Sequence, residues 1–128
     1  MIVDTSAILA IVLGEPESEA FMQKFAEAEV HRVSVGTWIE LGVVVQRQHP
    51  EKSHLVENFL REAGIQYESV SLEQAEIGRK GYQQFGQASG HKARLNFGDC
   101  FAYALAKSTG EPLLFKGNDF AQTDITAA

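Results

Sequence analysis

Four acidic residues, Asp4, Glu40, Asp99 and Asp119, lie in segments of the chain that are otherwise mostly apolar. Gathering several carboxylates at one partly buried place costs several kcal/mol through desolvation and mutual repulsion unless cations compensate. No lysine or arginine is adjacent in sequence to Asp4, Glu40 or Asp99. If the fold brings these side chains together, we expect a bound divalent cation to balance their charge.

The residue types available select the kind of metal. Carboxylate oxygens suit hard ions such as Mg²⁺ and Mn²⁺, whereas zinc requires closely spaced histidine or cysteine. His49 and His54 are five positions apart, the wrong step for one helical face, and Cys100 has no partner cysteine, so we interpret it as a small core residue. The chain contains no GxxxxGK[ST] or GxGxxG motif and no nucleophile elbow.

Each of the four acids also has an ordinary structural interpretation, which stays open at this point. Asp4 can act as a helix N-cap, Asp99 as part of an Asn96-x-x-Asp99 cap, and Glu40 as part of a Thr37-x-x-Glu40 capping box. Asp119 can be an acid in a turn. Other acids of the chain fit exposed helical faces, namely Glu15, Glu17, Glu19, Glu27 and Glu29.

These acids must be positioned by short apolar strands that alternate with helices, a pattern typical of a parallel sheet covered by helices on both faces. In such sheets ligands bind beyond the carboxyl ends of the strands, where Asp4 and Asp119 would lie. The strands are predicted at 1–3, 30–33, 65–70 and 112–115, with a possible edge strand at 124–125. The helices are predicted at 7–13, 17–28, 34–48, 51–63, from 71 to the glycine-rich stretch 86–90, and at 96–109, those at 34–48 and 96–109 being buried.

Charge is unevenly distributed along a chain whose formal net charge is -6. Residues 1–76 contain 13 acids and 5 bases, whereas residues 77–128 contain 4 acids and 6 bases. No acid occurs in 77–98, where His91 joins a group of four cations, Arg79, Lys80, Lys92 and Arg94. This patch could contact phosphates, although a solvated surface without any partner fits the charge pattern equally well.

Composition bounds the class of protein. With 45% apolar and 22% charged residues the chain is an ordinary globular sequence, and its 128 residues predict one domain spanning 1–128. The longest apolar run, 7–13, is far too short to cross a bilayer, so we expect no membrane association. A single cysteine and the lack of a basic segment before that run favour a cytoplasmic location.

Several segments together resemble the PIN-domain nucleases, and within them the VapC ribonuclease toxins of bacterial toxin–antitoxin pairs. The similarity covers nearly the whole chain and is most specific in two segments. The segments are MIVDTSA at 1–7, the helix at 34–48 with Glu40, LNFGDCFAYALA at 95–106, and LLFKGNDF at 113–120 followed by TDI at 123–125. One departure is Lys92, which follows Gly90-His91 where such sequences usually have proline.

The resemblance implies a three-layer α/β/α fold with a central parallel sheet of strand order 3-2-1-4-5. It also implies that the four carboxylates hold Mg²⁺ (or Mn²⁺) and that Ser6 helps to hold metal-bound water. Its further implications are that the protomers pair as a homodimer and that a small DNA-binding antitoxin of the VapB type inhibits the protein.

The expected reaction is hydrolysis of RNA phosphodiester bonds by a water molecule that the metal activates. Asp4, Asp99 and Asp119 would hold the ion, and Glu40 would hold a second ion or position the water. The cations Arg79, Lys80, Lys92 and Arg94 would track the RNA backbone.

Two other functions remain open from the sequence. One is a PIN-fold regulatory subunit that binds operator DNA with its antitoxin and does not cleave RNA. The other is a small receiver-like or phosphatase-like domain built on Asp4, although the phosphatase version requires an Asp where Ser6 stands. Trp38 and the eight Phe could form a groove or a dimer face, or simply the core.

Overall fold

The computed structural model describes all residues from Met1 to Ala128 and contains four short strands and six α-helices. The strands are β1 (Ile2–Val3), β2 (Arg32–Ser34), β3 (Gln66–Glu68) and β4 (Leu113–Leu114). The helices are α1 (Thr5–Val12), α2 (Ser18–Glu27), α3 (Val35–Gln48), α4 (Ser53–Glu62), α5 (Leu72–Phe85) and α6 (Asp99–Thr109). None of these helices has the length and apolar character needed to span a bilayer.

The strands form one parallel sheet in the order β3-β2-β1-β4. Ile2 at the start of β1 pairs with Arg32 of β2 on one side and with Leu113 of β4 on the other. Successive side chains of a strand point to opposite faces, so Ile2 and Val3 belong to different halves of the core. The predicted parallel sheet with helices on both faces is therefore confirmed.

The predicted fifth strand at 124–125 does not form. Asp124 instead accepts a hydrogen bond from the Tyr103 hydroxyl at 2.9 Å and pairs with Lys107 at 3.0 Å, which anchors this segment to α6. A single parallel bridge joins Leu113 to Ala127 at that edge. The sheet thus has four strands, and the end of the chain adds only this bridge, through backbone hydrogen bonds between Leu113 and residues 126 and 128.

Two apolar clusters fill the space on either side of the sheet. One lies under α5 and α6, and the other under α1 to α4. Complete burial of one valine, leucine or isoleucine side chain stabilises the fold by about 1.5–3 kcal/mol. The fully buried strand and helix residues include Ile2, Leu105 and Leu113 in the first cluster and Val3, Ile8 and Val33 in the second.

Helix α3 is less buried than its sequence suggests. Leu41 and Val45 pack into the core, but Trp38, Ile39 and Val43 are exposed, so the expectation of a buried helix is wrong for one face. The apolar residues around the circumference of α3 therefore leave an apolar strip on the surface.

Candidate active site

Asp4 lies immediately after β1 and caps α1. Its Oδ2 accepts hydrogen bonds from the Ser6 backbone N–H at 3.0 Å and from the Ser6 hydroxyl at 2.6 Å. Its Oδ1 is buried and has no hydrogen-bond partner. Burial raises the pKa of Asp4, the Ser6 and Thr5 hydrogen bonds oppose this, and the charge of Asp119 raises it further. The capping interpretation is therefore correct for one oxygen, and the other oxygen is left free.

Ser6 connects the carboxyl ends of the neighbouring strands β1 and β4. Its hydroxyl donates its only proton to Asp4 and accepts a hydrogen bond from the backbone N–H of Lys116, just beyond β4, at 3.0 Å. This arrangement fixes the orientation of the Asp4 carboxylate. The role of Ser6 in holding metal-bound water stays a prediction.

Glu40 approaches the same edge from α3. The Thr5 hydroxyl donates to its Oε1 at 2.6 Å, which ties α3 to the start of α1. Burial raises the pKa of Glu40, the Thr5 hydrogen bond lowers it, and the charge of Asp4 raises it. The predicted capping box at Thr37 is wrong, because α3 begins earlier with Ser34 as its N-cap and Thr37 is buried within the helix.

Asp99 is the first residue of α6 and is 9% exposed. Its Oδ2 accepts the backbone N–H of Asn96, and its own N–H donates to the Asn96 side-chain oxygen, both at 2.9 Å. This reciprocal pair confirms the predicted cap and places the helix start at Asp99 rather than at 96. Burial raises the pKa of Asp99 to about 7, with further increases from the charges of Asp4, Glu40 and Asp119 that the Asn96 hydrogen bond only partly offsets.

Gly98 allows Glu40 and Asp99 to come together. A Cβ at position 98 would overlap the Glu40 carboxylate, so only glycine fits there without moving Glu40. The glycine in the LNFGD segment is thus required by the close approach of an acidic side chain from another helix.

Asp119 completes the group from the loop after β4. It precedes the 3₁₀ turn Phe120–Gln122, caps it with no side-chain hydrogen bond, and is exposed to solvent. Asp119 is thus an acid in a turn, which is the structural interpretation that the sequence left open for it. Its charge nonetheless raises the pKa of both Asp4 and Asp99, so all four carboxylates share one electrostatic environment.

No lysine or arginine side chain forms a salt bridge with any of the four acids. Lys116, whose backbone N–H binds Ser6, uses its side chain to pair with Glu15 and with Glu17, the latter at 3.2 Å. Sequence reasoning missed Lys116 and took both glutamates as exposed, whereas they are half-buried in this ion pair. The candidate site is consequently a concentration of uncompensated negative charge.

The donor set fits a hard divalent cation. All donors are oxygens, and Asp4 Oδ1 is a buried acceptor without a partner. No three acidic, histidine or cysteine side chains lie close enough together to hold a metal ion by themselves. Mg²⁺ commonly uses one or two carboxylates and completes its coordination with water and substrate phosphates, so a closed protein cage is not required.

The four predicted phosphate-contacting cations are all exposed. Arg79 and Lys80 lie on α5, whereas Lys92 and Arg94 lie in the loop that leads to α6. None of the four forms a salt bridge, and Arg94 adopts a positive φ of 55°, which is uncommon for a non-glycine residue. Their charges are therefore available to a ligand.

Cys100 is half-buried rather than a core residue. Burial, together with the neighbouring charge of Asp99, raises the pKa of its thiol to about 11. The thiol is thus protonated at neutral pH, which agrees with the interpretation that it is neither a ligand nor a nucleophile.

The chain is similar to the PIN domain family over residues 1–125. VapC ribonuclease Mb2780c of Mycobacterium bovis and ribonuclease VapC42 of Mycobacterium tuberculosis are each 47% identical to it, over 100% of this chain and 98% of the relative. Ribonuclease VapC of Mycolicibacterium smegmatis is 38% identical over 99% of this chain and 98% of its own length.

Solved structures agree in fold. Mycobacterium tuberculosis VapC20, described as a toxin that cleaves the sarcin–ricin loop, superposes with a TM-score of 0.74 at 17% identity, covering 99% of this chain and 97% of that one. A chain of a toxin–antitoxin complex from Klebsiella pneumoniae gives a TM-score of 0.71 at 19% identity, covering 99% of this chain and 95% of that one. On the family match and the full-length identities together, this chain belongs to the PIN-domain family and, within it, to the VapC ribonucleases.

Proposed function

We propose that the protein is a Mg²⁺- or Mn²⁺-dependent endoribonuclease toxin that hydrolyses RNA phosphodiester bonds and is inhibited by a cognate antitoxin. The observation that carries this proposal is the group of four carboxylates that share one environment without a protein cation. The names of the relatives, which are ribonucleases, support the substrate class.

In this proposal Asp4, Asp99 and Asp119 hold the cation, and Glu40 positions the attacking water or a second ion. The bound cation supplies a lowered pKa for water and neutralises charge that develops on the phosphate. Asp99 has a pKa of about 7 without the cation, so its carboxyl group must release its proton before it can act as a ligand. Ser6 keeps Asp4 Oδ2 oriented so that Oδ1 faces the ligand.

The RNA backbone would be held by Arg79, Lys80, Lys92 and Arg94. Exposed side chains without acidic partners can release counterions from phosphates on binding, which favours a polyanion. Such contacts position the RNA and do not read its sequence.

The protein would act in the cytoplasm as a homodimer, and its antitoxin would be a small DNA-binding protein of the VapB type. The similarity to a chain from a toxin–antitoxin complex supports the antitoxin. The exposed apolar strip of α3, with Ile39 at 67% and Val43 at 50% exposure, supports a protein contact at this helix.

The proposal is tested by incubating total RNA with the protein and Mg²⁺ or Mn²⁺, and with the Asp4→Asn and Asp99→Asn variants. Cleavage by the wild type, its loss on chelation, and a decrease of at least about 100-fold in both variants are expected, since removing one charge-stabilising group costs on this order. Glu111→Gln, far from the site, is the matched control and should cleave normally. Equal cleavage by all variants rejects the mechanism. Operator DNA binding with an antitoxin but no cleavage supports the regulatory alternative.

A further inference from the structure

Phe97 is unusually exposed for a phenylalanine. Its side chain is 78% accessible, and it lies two residues before Asp99 in the loop that enters α6. Phenylalanine is normally buried, and this chain buries Phe25, Phe85 and Phe120 almost completely. An aromatic ring left in solvent beside the candidate active site therefore requires an explanation other than packing.

The ring is supported from one side. Phe101, one turn into α6, meets it in an edge-to-face arrangement with 5.2 Å between ring centroids and 74° between ring planes. Phe101 is itself held against α3, because a Cβ at Gly36 would overlap its ring. Phe97 is consequently a rigidly backed platform whose remaining surface is open.

Phe97 also lines a groove of about 470 Å³ between α5 and α6. The groove is mostly apolar, and Arg79 is the one cationic residue in its lining. Gly78 lets α5 and α6 approach closely in this groove, because a Cβ there would come within 3.3 Å of the Cys100 carbonyl oxygen. The volume lies within the usual range for small organic ligands, which leaves room for a nucleobase.

The charges around Phe97 favour a polyanion over an apolar protein surface. Lys92 and Arg94 precede the ring in sequence, Arg79 lines the groove, and all three are exposed without a salt-bridge partner. Covering the groove with an apolar protein face would desolvate Arg79 without compensation. A nucleic acid supplies phosphates for the cations and a flat base for the ring at the same time.

We propose that Phe97 is a stacking platform for one unpaired nucleobase of the RNA, at the mouth of the groove between α5 and α6. This inference rests on the proposed function, since it takes RNA as the substrate. It adds that the RNA must be single-stranded at that position, because a base within a duplex has no free face to offer. Phe97 is thus a positioning residue for substrate next to the carboxylates.

The test measures binding in the Asp99→Asn background, so that cleavage does not interfere. The probes are a short unstructured RNA oligonucleotide and a blunt RNA duplex of the same length, followed by fluorescence anisotropy. Phe97→Leu should raise the dissociation constant for the single strand by at least about five-fold, the lower end of measured stacking contributions. It should leave duplex binding unchanged, and Phe97→Trp should retain single-strand affinity.

Leu72→Ala is the matched control, because Leu72 is also 78% exposed but lies outside the groove lining. It should bind both probes like the parent. A Trp38→Phe, Phe97→Trp variant adds a direct signal, since a stacked base should quench the fluorescence of its one remaining tryptophan.

Three results overturn the inference. They are equal affinities of Phe97→Leu and the parent for the single strand, an equal loss on the duplex, and a change in oligomeric state caused by Phe97→Leu in sedimentation analysis. The last would assign the ring to a protein interface. The wild type distinguishes failure of the proposed function from failure of this inference. If the wild type binds RNA but does not cleave it with Mg²⁺ or Mn²⁺, the proposed function fails, and the binding measurements still test whether Phe97 stacks on a base. If the wild type binds neither probe, both are overturned.

Discussion

Acidic side chains have cationic partners at one end of the central sheet and lack them at the other. At the amino ends of β1, β2 and β4, Glu111 pairs with the Met1 ammonium at 2.9 Å and with Arg32 at 3.0 Å. Arg32 also reaches Glu68, the last residue of β3, at 2.8 Å. Although burial acts to raise it, these cations hold the pKa of Glu111 below its usual value. Every acid in this network has a cationic partner.

At the carboxyl ends the four candidate acids have no such partner, and the pKa of Asp99 is raised to about 7. Lys116, which is three residues before Asp119 in the chain, is paired with Glu15 and Glu17 instead. An uncompensated group of carboxylates destabilises the fold, whereas paired acids stabilise it modestly. This difference supports the proposal that a cationic ligand from outside the protein binds at the second end.

The largest expected difference between the two ends is in how their acids make the free energy of unfolding depend on pH. The folded-state pKa of Asp99, about 7, lies above its ordinary value of 3.8, so the folded protein binds this proton more tightly than the unfolded chain does. The stability that this proton contributes is therefore fully present below about pH 4 and is lost as the pH rises through about 7. In metal-free protein we expect the free energy of unfolding to fall by about 2 kcal/mol between pH 5.5 and pH 8, as measured by urea denaturation.

Two variants show which end of the sheet causes this decrease in stability. Asp99→Asn should remove most of the decrease, because an amide does not titrate. Glu111→Gln should retain it, because the lowered pKa of Glu111 means that this acid is already ionised throughout the range. A slope that is identical in wild type and Asp99→Asn would contradict the assignment of the raised pKa to Asp99.

The second prediction concerns the contact between Gly98 and Glu40. Gly98→Ala should displace the Glu40 carboxylate, and because that group is the end of a flexible side chain the cost in stability should be small. We expect RNA cleavage to fall about ten-fold while the free energy of unfolding changes by less than about 1 kcal/mol. Steady-state kinetics and urea denaturation measure the two quantities.

Gly42→Ala is the matched control for Gly98→Ala. Gly42 lies in the same helix as Glu40, and a Cβ there would meet nothing within 4 Å. It should leave cleavage unchanged and stabilise the protein by up to about 1 kcal/mol, since alanine is the better helix former. If both alanine variants retained full activity, the position of Glu40 would be irrelevant to catalysis.

The smallest effect concerns the exposed cations. Lys92→Ala and Arg94→Ala should each weaken RNA binding and reduce the slope of log affinity against log salt concentration by about 1, the value for one lost phosphate contact. Lys107→Ala, which removes a cation paired with Asp124 on α6, should not change the slope. Unchanged slopes for both Lys92→Ala and Arg94→Ala would remove their role in binding RNA.

Local signals explain what could be predicted from the sequence. The apolar surroundings of Asp4 and Asp99 and their positions at helix starts indicated both a cap and a candidate ligand, and both acids do serve as caps. Capping and ligand binding are compatible, because a carboxylate has two oxygens and the cap uses only Oδ2 in each case.

Contacts between distant parts of the chain explain what could not be predicted. Ser34, and not Thr37, caps α3, because β2 ends at Ser34 and thereby fixes the start of the helix. The segment at 124–125 bonds to Tyr103 and Lys107 on α6, a choice that depends on how α6 packs.

The exposed side chains were equally hard to foresee. Residue type alone placed the phenylalanines in the core, whereas Phe97 is exposed by a turn held between Asn96 and Asp99. The flanking Asn96 and Gly98, both typical of turns, were the signal that could have identified it. Lys116 and Glu15 are about 100 residues apart in the chain, so no local sequence pattern could predict their pairing.

Binding of Mn²⁺ to the metal-free protein, measured by isothermal titration calorimetry at pH 7, tests most directly whether the unpaired acids form a cation site. The wild type and Glu111→Gln should bind Mn²⁺ alike, with release of protons because Asp99 is partly protonated at this pH. Asp99→Asn should bind at least about ten-fold more weakly. Equal binding by Asp99→Asn, or no binding by the wild type, would contradict the account.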